Sequence, residues 1–237
     1  MHTIYLSRRG WKLRLTYLFA CSLMLCTAVL FLSETEVEPT LAEAYRCGPA
    51  ESSRISLAIN VDWGEEFLPA MLQTLAEEDV KASFFLSGRW TELQPELAAE
   101  IAAAGHEIGN HGFSHSSPNA SSREEVREEI HRAGTAILKA TGQQTSLYAP
   151  PSGECEPHVL EAAEQSGHKT ILWSVDTIDW QKPDPATILQ RVKSKIHGGA
   201  IILAHPTEST AEILGQMIKE LKAEGYCFVT VSENISL

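Results

Sequence analysis

Two histidines four residues apart, His111 and His115, lie in the stretch GHEIGNHGFSH at residues 105–115. Imidazole nitrogens are the commonest protein ligands for zinc-like metals. Gly109 and Gly112 predict a backbone that bends freely, so that both rings can converge on one point. Pro118 argues against a long helix here, so the helical metalloprotease arrangement is not expected, although the spacing is the same. An isolated pair of this kind also occurs on ordinary surfaces, so the weight falls on what else the chain places nearby. Asn60 and Asp62 follow the apolar run ISLAI, Asp176, Asp179 and Trp180 follow ILWSV, and His205 follows IILA. Each has a plainer reading as well. The aspartates could cap turns, His205 could be a core histidine bonded to a backbone carbonyl, and Asn60 and Asp62 could simply terminate a strand.

The elements that would position these residues alternate. Residues 55–61 are a buried-strand candidate, and Phe67, Leu68, Met71, Leu72 and Leu75 mark one face of a helix with Pro69 in its first turn. Residues 80–86 read as a strand and 93–104 as a helix closed by Gly105. Residues 106–108 form a brief strand before the two histidines. Ser122 and Glu125 make a capping box ahead of Val126, Ile130, Ala133 and Ile137. Strands are expected at 169–175, 200–204 and 227–231, with helices at 185–196 and 210–224 between them. This alternation predicts a parallel α/β barrel or an open doubly wound sheet. In such folds chemistry collects at the carboxyl ends of strands, which is where all of these polar residues fall.

The chain has 237 residues, a net charge of −12 and 43% hydrophobic residues, which suits one globular domain plus an N-terminal appendage. No basic stripe is present, which argues against nucleic acid as a partner. Arg8, Arg9, Lys12 and Arg14 precede an apolar run at residues 15–32, and Glu34, Glu36 and Glu38 come after it. A run of about 18 residues is just long enough to span a bilayer, and the positive flank sets its orientation. Residues 1–33 therefore read as a signal-anchor or a cleaved signal peptide, with a faint likeness to a lipoprotein cleavage site at Cys21. Either places the rest of the chain outside the cytoplasm, secreted or held to the membrane by that segment. Residues 34–53 read as a linker rich in Glu, Pro and Ala. Of the five cysteines, Cys47, Cys155 and Cys227 lie beyond the apolar run, which allows one disulfide and a free thiol.

From residue 54 to 237 the chain resembles the polysaccharide deacetylase (NodB-like) family, and within it the sporulation-associated branch. The resemblance is carried by KASFFLSG at 81–88, GHEIGNHGFSH at 105–115, APPSG at 149–153, WSVDTIDW at 173–180 and IILAHPT at 201–207. It implies a distorted (β/α)7 barrel that removes acetyl groups from chitin-like or peptidoglycan sugars with a divalent metal, zinc or cobalt. His111 and His115 match the family's metal-binding histidines. His205 matches the general acid on the leaving amine, and Asp179 the carboxylate orienting it. Trp180, Ile202 and Pro151 match positions against the substrate.

The first motif departs from the pattern. The family has threonine-phenylalanine-aspartate-aspartate-glycine, the first aspartate serving as base and the second as metal ligand. One gap-free register puts Asn60 and Val61 at those positions, and a register shifted by two puts Asp62 on the base and Trp63 on the ligand. Ala149 stands where the family has an arginine holding the base. Asp62 is the residue that could restore either function. The expectation is a metal-dependent deacetylase of N-acetylated cell-wall glycan with altered or weak activity, with His111, His115 and Asp62 as ligands. The alternative is an inactive domain that binds glycan during cell-wall or spore assembly. Oligomeric state is not legible in the sequence.

Overall fold

The computed structural model describes residue 19 and residues 43–236. The apolar segment at 15–32, apart from residue 19, and the start of the linker lie outside the described residues. No described helix is long and apolar enough to cross a membrane.

The strands are β1 Ala44–Tyr45, β2 Arg54–Val61, β3 Ser83–Leu86, β4 Glu107–Asn110, β5 Leu147–Tyr148, β6 Lys169–Ile171, β7 Val175–Asp176, β8 Ile201–Ala204 and β9 Cys227–Phe228. The helices are α1 Leu68–Glu77, α2 Gly88–Leu93, α3 Pro95–Ala103, α4 Arg123–Thr141, α5 Pro157–Gln165, α6 Pro185–Lys195, α7 Glu208–Ala223 and α8 Val231–Ile235. The sheet runs β1-β6-β5-β4-β3-β2-β8-β7, with β9 added beside the start of β2. The strand pairings are all parallel. The result is a curled sheet with helices on its outer face, the distorted (β/α)7 barrel that the motifs imply.

Closure of the curl explains one difference from the expected strands. Residues 169–175 are not a single strand. β6 pairs with β5, whereas β7 pairs with β8, and the Ser174 amide already donates to Ile201 at 3.1 Å. One extended run thus leaves one edge of the sheet and joins the other. At the opposite end of the barrel the N-terminal segment also spans this gap. β1 pairs with β6, Cys47 bridges to Ala200, and Gly48 N–H donates to the Gly199 carbonyl at 2.7 Å. Cys47, Cys155 and Cys227 are all free thiols.

The expected helix at 93–104 is α3, Pro95–Ala103, and a further helix, α2, precedes it. Pro95 has no amide proton and disfavours helical geometry at the residue before it, and Gln94 takes φ −129°, ψ 53°. Ser87 caps α2 by accepting from the Trp90 amide. The Ser122–Glu125 capping box forms as expected. At the end of the chain the expected strand is cut short at Phe228. Thr230 and Glu233 form a second capping box that starts α8 instead.

β2 is the central strand, and its alternation sorts the residues that matter. Ile55, Leu57, Ile59 and Val61 are fully buried in the core between sheet and helices. Each such side chain contributes about 1.5–3 kcal/mol on burial. The even residues face the barrel interior instead. The Ser56 hydroxyl reaches the Thr230 carbonyl at the closed end, Ala58 packs in the interior cluster, and Asn60 and Asp62 line a cleft at the carboxyl end.

Candidate functional site

The cleft opens at the carboxyl ends of the strands and has a volume of about 390 Å³. Asn60, Asp62 and Trp63 come from β2 and the turn after it. His111 and His115 follow β4, Ser152 and Trp173 flank β5 and β6, and Asp176, Trp180, Leu203 and His205 follow β7 and β8. A larger groove of about 680 Å³ runs along α4, but it holds none of these residues.

The histidine turn is built from both sides. Gly112 needs φ +74°, which glycine adopts without strain. Gly109 has a different reason from the one expected, because a Cβ there would lie 2.4 Å from the Phe85 ring. Close packing, not bending, demands it. Glu129 of α4 accepts from the Phe113 and Ser114 amides at 3.1 and 2.7 Å and from the Ser114 hydroxyl at 2.8 Å. His115 itself sits at φ +56°, uncommon for a residue with a Cβ. The two imidazoles meet edge to face, with ring centroids 5.0 Å apart. His111 Nδ1 donates to the Ala149 carbonyl at 2.6 Å, leaving Nε2 as a lone pair. Burial, together with the neighbouring His115, pushes the His111 pKa down to about 3, so the ring is neutral at physiological pH.

His205 is held more tightly. Asp179 is fully buried and accepts three hydrogen bonds: from His205 Nδ1 at 2.7 Å, from the His205 amide at 2.6 Å and from the Thr210 hydroxyl at 2.6 Å. The proton therefore sits on Nδ1, and Nε2 is free toward the cleft. Ile178 and Lys182, on either side of the short turn Asp179–Gln181, both take left-handed backbone angles, with φ of 53° and 52°. For the β-branched Ile178 that conformation is strained, and it is what turns the carboxylate inward. Asp176 also fills its plainer role, accepting from the Ile178 amide at 2.8 Å.

Asp62 is engaged elsewhere. Its carboxylate accepts from the Ser87 hydroxyl at 2.5 Å and from Arg89 Nη2 at 2.9 Å. Among the described residues no three His, Cys, Asp or Glu side chains are grouped to hold one metal ion. The set expected from sequence, His111, His115 and Asp62, is thus not assembled as a ligand triad. The donors present do not fit a firmly held divalent metal, since two imidazoles alone leave the coordination shell largely open.

Burial also decides between the two registers of the first motif. Val61 faces the helix-side core, whereas Asp62 and Trp63 reach the cleft. Of the two registers, only the shifted one puts both of its residues, Asp62 and Trp63, at the cleft. The Trp63 ring is 41% exposed and lies parallel to His205, with centroids 6.0 Å apart and planes 7° apart. Trp180 stands at the rim, 55% exposed. Two other expectations move by one residue. Ile202 is fully buried in the core and Leu203 takes the cleft position. Pro151 is buried beside Gly112, and Ser152, at φ +58°, faces the cleft. Sequence reasoning missed Arg89, Ser87, Thr210 and Trp173. Ser87 and Trp173 lie inside the motifs at 81–88 and 173–180, and Thr210 is the partner of the Thr207 helix cap.

The polysaccharide deacetylase family matches residues 49–171. The Bacillus subtilis protein YlxY is 41% identical over 186 residues, covering 78% of this chain and 58% of YlxY. This chain thus spans less than two thirds of that relative. The peptidoglycan-N-acetylmuramic acid deacetylase PdaA of the same organism is 30% identical over 197 residues, covering 81% of this chain and 74% of PdaA. Among solved structures, a CE4 family pseudoenzyme from Bacillus anthracis superposes with TM-score 0.81 at 41% identity, covering 82% of this chain and 69% of that one. A mutant of that pseudoenzyme with restored enzymatic activity superposes equally well. The chain belongs to the polysaccharide deacetylase family, an enzyme family whose solved members include a pseudoenzyme.

Proposed function

We propose that the cleft binds N-acetylated cell-wall glycan and that deacetylation in it is residual. The observation that carries this reading is the division of the site into a complete half and an incomplete one. His205, Asp179 and Thr210 form an intact acid group. Asp62 is tied to Ser87 and Arg89, and Trp63 stands where a third metal donor would be.

The roles follow from the geometry. Asp179 fixes the His205 tautomer and stabilises the imidazolium, so His205 Nε2 can deliver a proton to a leaving amine. Asp62, just after β2, is the carboxylate at the cleft placed to take a proton from water, and Arg89 holds it in position. A divalent metal, when bound in an intact relative, polarises the attacking water. Trp63, Trp173 and Trp180 offer flat apolar faces for sugar rings. Binding survives the loss of a base or ligand, whereas turnover depends on both.

PdaA, a relative, acts on peptidoglycan, which supports cell-wall glycan as the ligand. Calorimetric titration with N-acetylglucosamine oligomers should give saturable binding, and acetate release should stay far below that of the Bacillus cereus peptidoglycan-N-acetylglucosamine deacetylase under the same conditions, with and without zinc or cobalt. Turnover matching that enzyme would overturn the reading. The positive flank and the apolar segment at 15–32 further support a location outside the cytoplasm, anchored or secreted. An export-dependent reporter fused near residue 45 should be active, and activity only of a cytoplasmic reporter would refute that location.

A further inference from the structure

The charged side chains of α4 fall into two sets. Those turned toward the rest of the fold are engaged. Arg123 Nη1 reaches Glu161 at 2.8 Å, Glu125 closes the capping box, Glu129 accepts from the Phe113 and Ser114 amides, and the Arg132 guanidinium lies 3.8 Å from the Phe113 ring centroid. Arg127, Glu128 and His131 are exposed and enter no ion pair or side-chain hydrogen bond among the described residues. Glu124 only approaches its neighbour Arg123, at 4.0 Å. These four are spaced i, i+3, i+4 and i+7, so they form one stripe along the helix. The stripe is one wall of the groove of about 680 Å³, and the turns at Thr145 and His168 form the other.

Within its own helix the stripe is poorly matched. Glu124 and Glu128 stand one turn apart with like charge, which disfavours a helix. A copy of the same face corrects this. Across a two-fold axis residue i meets j and j meets i, and two helices so related can run antiparallel. With the axis between Arg127 and Glu128, Arg127 faces Glu128 of the second copy, and Glu124 faces its His131. Each contact occurs twice. An axis at His131 would instead set two imidazoles together and Arg127 against Thr135. Leu138, 42% exposed on the same groove, then lies toward the turn that precedes α4 in the second copy and adds an apolar contact outside the polar centre. We infer that this stripe of α4 is a self-recognition surface, on which a second copy of the chain docks antiparallel as an isologous dimer. The surface holds no cleft residue, so the inference is independent of the glycan reading.

Sedimentation of the full chain in neutral detergent reads the dimer constant. The wild-type chain should dimerise, more weakly as salt rises. Arg127→Glu should raise the dissociation constant at least about tenfold, because two attractive contacts become repulsive. Glu128→Arg should do the same. Both substitutions in one chain exchange the partners and should bring the constant back to within about threefold of the wild type. Adjacent residues do not face each other on a helix, so no contact inside one copy produces that rescue. A chain that stays monomeric at about 100 µM would overturn the inference. A dimer unmoved by either single substitution would overturn it too, by placing the contact on another face. Failure of the double variant to recover, with both single variants weakened, would overturn the antiparallel pairing of Arg127 with Glu128.

Discussion

Arg89 Nη2 lies 2.9 Å from Asp62 Oδ2, and the arginine comes from the first turn of α2. The resemblance places the arginine that steadies the base in the third motif, where this chain has Ala149. Ala149 is buried, and its carbonyl is spent on His111. The carboxylate at the end of β2 is therefore steadied from a different element. The Arg89 side chain is 54% exposed and the Asp62 side chain 11% exposed, so the pair is screened on one side.

That asymmetry predicts a small energetic effect. Arg89→Ala should lower stability in urea melts by about 1 kcal/mol or less, as for other solvent-facing ion pairs. Ser87→Ala should cost more, about 1–2 kcal/mol, because it removes a helix cap and a partner of Asp62 together. Equal losses would mean that the ion pair, not the serine, holds Asp62.

The register of the first motif predicts which substitution can rebuild a ligand set. Val61→Asp would bury an unpaired carboxylate among Leu57, Ile59 and the α1 side chains, at a cost of about 3 kcal/mol or more. Trp63→Asp places its carboxylate at the cleft instead. Zinc titration by calorimetry should show at least about tenfold tighter binding in Trp63→Asp than in the wild type, lost again on adding His111→Ala. A gain from Asn60→Asp with Val61→Asp, and none from Trp63→Asp, would reverse the register.

The acid group predicts a split between binding and turnover. His205→Ala should remove any residual acetate release and leave the chito-oligosaccharide affinity within about twofold, since a proton donor acts in the transition state. Asp179→Ala should in addition destabilise the fold by about 3 kcal/mol, because the His205 amide and the Thr210 hydroxyl lose a buried acceptor. A parallel loss of affinity in His205→Ala would recast the histidine as a ground-state contact.

A different histidine adds to His111 in limiting stability in acid. His106 is buried, and its Nδ1 accepts from the Ala82 amide at 3.2 Å. Burial, followed by the charge of Lys81, lowers its pKa from 6.5 to about 4. The unfolded chain takes up this proton near pH 6.5 and the folded chain only near pH 4. The stabilisation is therefore complete above about pH 6.5 and is lost as pH falls toward 4, to a ceiling of ~3 kcal/mol. Urea melts at pH 7 and pH 4.5 should show a smaller difference in His106→Asn, which keeps the acceptor but does not titrate. An unchanged difference would place the acid sensitivity elsewhere.

Much of the architecture was legible in local pattern. The apolar stretch of β2, the face of α1 and the Ser122–Glu125 box each combine a periodicity with a capping or turn signal. The carboxyl-end rule alone gathers Asp62, His111, His115, Asp179, Trp180 and His205 at one end of the strands, where all but the buried Asp179 line the cleft. What escaped were features set by distant partners. β5 has two residues and exists because β4 and β6 flank it. Nothing in the run Ser87-Gly88-Arg89 announces that its hydroxyl and guanidinium will meet a carboxylate 25 and 27 residues earlier. Ile202 and Leu203 exchange roles because a single step along a strand changes the face.

The closure of the barrel through residues 169–176 has a consequence for the order of synthesis. β2 is made early, yet its second neighbour is β8, and its Ser56 hydroxyl waits for a carbonyl 174 residues further on. Until then β2 has one open edge and the interior of the curl is uncovered. Such long-range pairing is slow, since loop-closure entropy is spent before the contacts repay it. The chain emerging from a ribosome therefore stays pliable until β8 and the turn at Thr230 have been made.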